Sequence, residues 1–243
     1  MELPLVGMIL GSISAVLLPV FSGMDKGNGM SNETLVVWNS ALLKSAKLIF
    51  PMLIFSVFFA EPIMTCMYGD IYAQSSIYFV IKNLSGLFYI IPFYPIILAI
   101  GKTNSYANAH MIAAFMIVIA EYVVCKTFDS AVYVAITSEL CNLFKIWLLL
   151  RVIANYAHMK ITELLPPKPM TILIMISALA SLPPFLLLDF LNMNKFIVLF
   201  VCLGFFLVDY YVLCWICKVT YRDIAGGFLK NKSRLNAVVK ILP

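Results

Sequence analysis

Seven long apolar stretches, separated by short polar segments, make up most of the hydrophobic pattern of the chain. They are residues 5–22, 48–67, 76–100, 106–125, 132–152, 170–188 and 196–217. Each stretch has about the 20 residues that an α-helix needs to cross the hydrocarbon core of a bilayer. The apolar runs are continuous and do not alternate with a period of two, so they predict helices and not the strands of a membrane barrel. We therefore predict an all-α, polytopic transmembrane helix bundle of about seven spans.

Polar and proline-rich segments divide this predicted bundle. A stiff linker, Pro166-Pro167-Lys168-Pro169, separates the fifth span from the sixth. It predicts a five-helix unit over residues 1–165, a closing pair of spans over 166–217 and a basic tail over 218–243. In the first long loop, residues 33–47 have an amphipathic pattern, which predicts a helix at the inner interface that runs into the second span.

Composition excludes a soluble domain. The chain is 63% hydrophobic and 12% charged, whereas soluble domains carry about 25% charged residues. The six cysteines lie in the spans or at their ends, where buried free thiols are expected rather than disulfides or metal ligands. The sequence therefore predicts neither a metal site nor a cofactor.

Basic residues are distributed unevenly between the two predicted faces. Of the 17 Lys and Arg residues, only Lys126 and Lys195 fall between spans on the face opposite the tail. The positive-inside rule then places the tail in the cytoplasm and Met1 outside. The tail between Lys218 and Lys240 is expected to contact anionic lipid headgroups. Nucleic-acid binding is not expected, because this charge adjoins a span.

Four charged residues lie well inside the predicted spans: Lys82, Glu139, Lys145 and Asp209. Each costs about 2.5–3.5 kcal/mol at the centre of a membrane helix, so they should face the bundle interior or a wet cavity. They either line a path for a polar or anionic cargo, or serve structure alone through snorkelling and pairing. Glu139 and Asn142 share a helix face, whereas Lys145 lies about 120° round from Glu139 and need not bridge to it.

Prolines and glycines mark two further features of the spans. Pro92 and Pro95 interrupt the third stretch and predict a kink, either beside a cavity or as a static packing feature. Gly7 and Gly11 form a GxxxG pattern in the first stretch, which predicts close contact with another helix.

Several short motifs occur in a distinctive order and spacing. They are Leu17-Leu18-Pro19-Val20-Phe21-Ser22, Glu61-Pro62-Ile63-Met64, Tyr68-Gly69-Asp70-Ile71-Tyr72-Ala73-Gln74-Ser75-Ser76, Ala99-Ile100-Gly101-Lys102-Thr103, Ser138-Glu139 and Leu164-Leu165-Pro166. In this order the chain resembles the second half of the polysaccharide flippases, the oligosaccharide-exporter branch of the multidrug/oligosaccharidyl-lipid/polysaccharide exporter superfamily. The resemblance extends over roughly residues 5–217.

The resemblance implies a bacterial inner-membrane transporter with two six-helix lobes around a central cavity. Such proteins move an undecaprenyl-diphosphate-linked oligosaccharide to the periplasmic leaflet for surface polysaccharides such as O-antigen and lipopolysaccharide. Lys82 and Lys145 match the cationic residues expected to meet the diphosphate, and Glu139 and Asp209 complete the candidate substrate-binding set. Complete members are nearly twice as long, so this chain is expected to be a truncated product, a fragment, or half of a split transporter that needs a separate amino-terminal lobe.

Three alternatives remain beside this interpretation. The first is a cation-coupled multidrug antiporter of the same superfamily, in which Glu139 and Asp209 would be the coupling carboxylates. The second is a non-functional structural remnant. The third is a membrane enzyme, which is disfavoured because the sequence has no His–Asp or paired-carboxylate constellation and only short outer loops.

Overall fold

The chain is mostly helical in the part that a computed structural model describes, which comprises residues 4–23, 30–188, 194–219 and 221. The α-helices are α1 (Pro4–Ser22), α2 (Asn32–Phe58), α3 (Ala60–Tyr68), α4 (Ser76–Gly86), α5 (Phe93–Ala99), α6 (Thr103–Thr127), α7 (Ala131–Ala157), α8 (Ile161–Leu164), α9 (Pro167–Leu187) and α10 (Lys195–Ile216), and Asp70–Ser75 forms a 3-10 helix. The predicted all-α membrane fold is confirmed. Most of the predicted tail, at 220 and 222–243, lies outside the described residues.

Six helices in the described residues are long and apolar enough to cross a membrane: α1, α2, α6, α7, α9 and α10. The seventh apolar stretch, residues 76–100, is not a single spanning helix. It is divided into α4 and α5 by a turn over residues 87–92. The count of about seven spans is thus corrected to six continuous helices and one broken one.

Two prolines explain why the third stretch is broken. Pro92 and Pro95 have no N–H to donate to the carbonyls of Phe88 and Ile91, so an α-helix cannot continue through this segment with its hydrogen bonds intact. After Gly86 the amides instead bond three residues back, as in the bond from Tyr89 to the Gly86 carbonyl. The predicted kink is therefore a complete interruption of the helix.

The predicted interfacial helix and the second span are one continuous helix. α2 runs for 27 residues, through Pro51, and begins where the Ser31 side chain accepts a hydrogen bond from the Thr34 amide. The helix ends at Phe58, and α3 begins one residue after Phe59. The amphipathic segment therefore runs into the second span as predicted, whereas the apolar stretch 48–67 is not one helix but is divided between α2 and α3 at Phe59.

α2 and α9 form a central helix pair that packs through small side chains. Ser45 and Ala46 of α2 are fully buried, as are Ser177, Ala180 and Ser181 of α9. The hydroxyls of Ser177 and Ser181 donate to carbonyls four residues back in their own helix. Small residues let helix backbones approach closely inside a membrane. α10 then packs on α9 and α3, so the closing pair rests against the rest of the bundle.

The GxxxG pattern in α1 does not make the close contact that it predicted. A Cβ atom added at Gly7 or Gly11 would meet nothing within 4 Å among the described residues. We expect the double substitution Gly7→Ala/Gly11→Ala not to destabilise the bundle, and to gain up to about 1–2 kcal/mol from the higher helix propensity of alanine. Ala180→Leu should instead cost about 1–3 kcal/mol, because it overfills the buried face of α9. Unfolding of the purified variants in detergent compares the two stabilities. A glycine variant as unstable as the Ala180 variant would contradict the conclusion that Gly7 and Gly11 make no close contact with another helix.

Candidate functional site

An ion pair joins α4 to α7 inside the bundle. The Lys82 ammonium lies 2.9 Å from Oε1 of Glu139, and the two side chains are 24% and 12% exposed. The buried Ser85, one turn after Lys82, lies with its hydroxyl 2.5 Å from Oε2 of the same carboxylate. Both carboxylate oxygens of Glu139 thus have a donor on α4. Sequence reasoning anticipated a lysine partner for Glu139 but did not single out Ser85.

Tyr89 contacts both Lys82 and the second intramembrane lysine, Lys145. This residue lies in the turn between α4 and α5, with Lys82 Nζ 5.5 Å and Lys145 Nζ 5.8 Å from its ring centroid. Both distances are within the range of cation–π attraction. Lys145 also donates to Oδ1 of Asn142, one turn earlier on α7, at 3.2 Å. We call Lys82, Ser85, Tyr89, Glu139 and Lys145 the lysine–tyrosine site.

Two cavities meet at this site. One, of about 120 Å³, has Lys82 and Asn83 in its lining, together with residues of α1 and α2. The other, of about 170 Å³, has Lys145 and His110 in its lining. Leu10 and Tyr89 border both cavities. Each has room for several water molecules. Among the residues that the structure describes, no carboxylate lines either cavity.

Asp209 does not join this site. It is half-buried on α10, a helix that packs mainly on α9 and α3, whereas Glu139 lies where α7 meets α4. A further intramembrane carboxylate, Glu121 of α6, accepts a hydrogen bond from Ser138 of α7. The structure therefore brings together three of the four predicted site residues, Lys82, Lys145 and Glu139. Their role in binding stays a prediction.

Metal-ligating side chains are not clustered in the part of the chain that the structure describes. No group of three or more His, Cys, Asp or Glu side chains there could hold a metal ion. The six cysteines are free thiols. The lysine–tyrosine site offers two ammonium groups, a phenol, a serine hydroxyl and one carboxylate, and its two ammonium groups suit the binding of an anion.

The described helices have the architecture of a multi-pass membrane protein. A similar solved structure is that of the lipid II flippase MurJ in its inward closed conformation, with a TM-score of 0.60 and 18% sequence identity. The similarity covers 90% of this chain and 45% of the flippase chain, so this chain spans less than half of that protein's length. No model of a protein family matches the chain, and no curated protein matches it.

This similarity confirms the fold that the sequence motifs implied. At 18% identity it concerns the fold alone, so the cargo and the second lobe stay predictions. The chain is a multi-pass membrane protein whose helices follow the course of part of a flippase. The lysine–tyrosine site lies at the broken span of that fold.

Proposed function

We propose that this chain is part of a flippase that moves a lipid-linked oligosaccharide across the bacterial inner membrane, with its carboxyl-terminal tail in the cytoplasm. The observation that carries the proposal is the pair of lysines gathered round one tyrosine beside a broken span. Lys82 and Lys145 each line a cavity whose described lining residues include no carboxylate. On this proposal the chain is a transporter and has no catalytic role.

The site suits the charged part of such a cargo. A diphosphate linkage is strongly anionic, and its attraction to an ammonium group is several times stronger at the low effective dielectric of a protein interior than in bulk water. Lys145 has the neutral amide oxygen of Asn142 as a hydrogen-bond partner, so an incoming phosphate offers it a stronger, charge-assisted bond. The cavities match the dimensions of a small anionic group, while the sugar chain would extend beyond them.

Alternating access by rocking needs two lobes around one site. We propose that a second lobe completes the transporter. In the membrane-spanning segments of α1 and α6, only 11% of the residues are buried within this chain. Most of their surface is therefore available to a partner lobe or to lipid.

The antiporter alternative has less support. A coupling site of paired carboxylates would require Glu139 and Asp209 to act together, but the two lie on helices with different packing partners. Glu139 is also held by Lys82 and Ser85. In the part of the chain that the structure describes, no specific contact favours cation coupling over the binding of an anionic cargo.

Substitution of Lys145 tests the proposed function. We expect Lys145→Met to reduce flipping of an undecaprenyl-diphosphate-linked oligosaccharide by about tenfold or more, since tenfold corresponds to only 1.4 kcal/mol. The assay uses proteoliposomes that contain this chain and an amino-terminal lobe, and it measures the rate at which fluorescent cargo becomes accessible on the far leaflet.

Lys126 provides a matched control. Its ammonium lies 5.8 Å from the ring centroid of Tyr122, but it is exposed at the end of α6. Lys126→Met should leave the flipping rate unchanged. Wild-type flipping by an equally inserted Lys145→Met variant would refute the assignment of this lysine to the cargo.

A further inference from the structure

Lys82 and its carboxylate partner differ in their access to the cavity. Lys82 lines the 120 Å³ cavity, whereas Glu139 is not among the lining residues. The carboxylate approaches the ammonium from α7, and the cavity lies between α4, α1 and α2. The ammonium of Lys82 therefore lies between a fixed internal anion and a space that an external anion can enter.

We infer that Glu139 is an internal competitor for Lys82, a built-in carboxylate that sets how tightly the site holds the anionic group of its cargo. The inference rests on the proposed function and deepens it. A phosphate that enters the cavity must share Lys82 with Glu139 or take Lys82 away from it. The net free energy of phosphate binding is then the attraction between Lys82 and the phosphate less the attraction between Lys82 and Glu139 that is lost.

A competitor of this kind suits a transporter. A site that conducts its cargo must bind it well enough to admit it and weakly enough to let it go. An isolated buried ammonium would hold a multiply charged phosphate strongly, because little water is present to screen the attraction. With Glu139 beside it, Lys82 has a charged partner both before the cargo arrives and after it leaves.

Ser85 can stabilise Glu139 while Lys82 moves from the carboxylate to the cargo. Its hydroxyl lies 2.5 Å from Glu139 Oε2 and 2.9 Å from the carbonyl oxygen of Lys82. A hydroxyl has one proton and can donate it to only one of these acceptors at a time. When Lys82 turns towards an anion in the cavity, Ser85 can keep its bond to Glu139, so the carboxylate is not left without a donor.

Binding of inorganic pyrophosphate tests the inference. The full chain is purified in nanodiscs of neutral lipid and titrated with pyrophosphate in a calorimeter. We expect Glu139→Gln to bind pyrophosphate about tenfold more tightly than the wild type, because the competing charge is gone while Lys82 remains. Lys82→Met should abolish this gain when it is combined with Glu139→Gln.

Two more variants keep the result interpretable. Glu121→Gln removes another intramembrane carboxylate that is bonded to a serine, and it should leave the affinity close to that of the wild type. Ser85→Ala keeps every charge but removes the second donor to Glu139. The carboxylate then depends more on Lys82, so pyrophosphate binding should become weaker, opposite in direction to Glu139→Gln.

The outcomes separate the inference from the proposed function. If the wild type binds pyrophosphate and a folded Glu139→Gln variant binds it no more tightly, the competitor role is overturned while anion binding stands. If Glu139→Gln does not fold, an unchanged affinity of Ser85→Ala overturns the competitor role. If neither the wild type nor any variant binds pyrophosphate, the proposed anion site fails and the competitor role fails with it.

Discussion

Lys82→Met is expected to lower the free energy of unfolding by about 3–5 kcal/mol, because it leaves the charge of Glu139 inside the bundle without its cation. The pair is largely shielded from solvent, with the carboxylate side chain only 12% exposed. Of the two donors to Glu139 among the described residues, Ser85 remains, and one neutral hydroxyl does not replace an ammonium. Unfolding of the purified chain in detergent, followed by circular dichroism, measures the loss.

Removing both charges should restore most of this stability. In Lys82→Met/Glu139→Gln no uncompensated charge remains, and replacing a whole buried ion pair by neutral groups is often close to neutral in energy. Lys126→Met, at an exposed lysine of α6, is the control for loss of a positive charge alone. A double variant as unstable as Lys82→Met would mean that the lysine stabilises the bundle by packing, and not by its charge.

The second large effect is expected at Trp38. Its side chain is completely buried, and its Nε1 donates to the carbonyl oxygen of Leu164 at 2.9 Å. This hydrogen bond links α2 to the last residue of α8, just before the proline linker. Trp38→Ala should cost about 3–5 kcal/mol through the cavity it creates, in addition to the lost hydrogen bond. Trp38→Phe keeps most of the ring and should cost about 1–3 kcal/mol, because the Leu164 carbonyl loses its donor.

Trp215 separates this effect from the loss of any large aromatic side chain. It lies on α10 and is 77% exposed, so Trp215→Ala should change stability little. The same unfolding measurement in detergent applies to all three variants. Equal losses for Trp38→Ala and Trp215→Ala would show that the Trp38 contact with α8 is not a determinant of stability.

Much of the fold could be predicted from the sequence, because membrane helices are specified by length and hydropathy within one segment. The predicted helix limits were wrong where an apolar stretch is interrupted by a turn. Pro92 and Pro95 predicted a bend, but whether a helix bends or breaks depends on which neighbours satisfy the freed carbonyls. The sequence did predict that the amphipathic segment runs into the second span, but it did not predict that the apolar stretch 48–67 is divided between α2 and α3 at Phe59.

The site was harder to predict than the fold. Glu139 and Asp209 are alike in sequence, since each is a single acid in an apolar helix, and only the packing of α7 and α10 tells them apart. Tyr89 had no distinctive signal, because an aromatic residue in an apolar run is usually a packing or lipid-facing residue. The motifs gave a resemblance that the solved flippase supports at the level of fold, but they do not specify the cargo.

The broken span also has a consequence for biosynthesis. α4 and α5 have 11 and 7 residues, so neither reaches the roughly 20 residues of an independent membrane segment. Lys82 adds an insertion cost of about 2.5–3.5 kcal/mol near the centre of a span. Its carboxylate partner is 57 residues further along the chain and has not been synthesised when Lys82 leaves the ribosome. Stable insertion of this region is thus tied to the arrival of α7, which makes the third span a late and cooperative step in the assembly of the bundle.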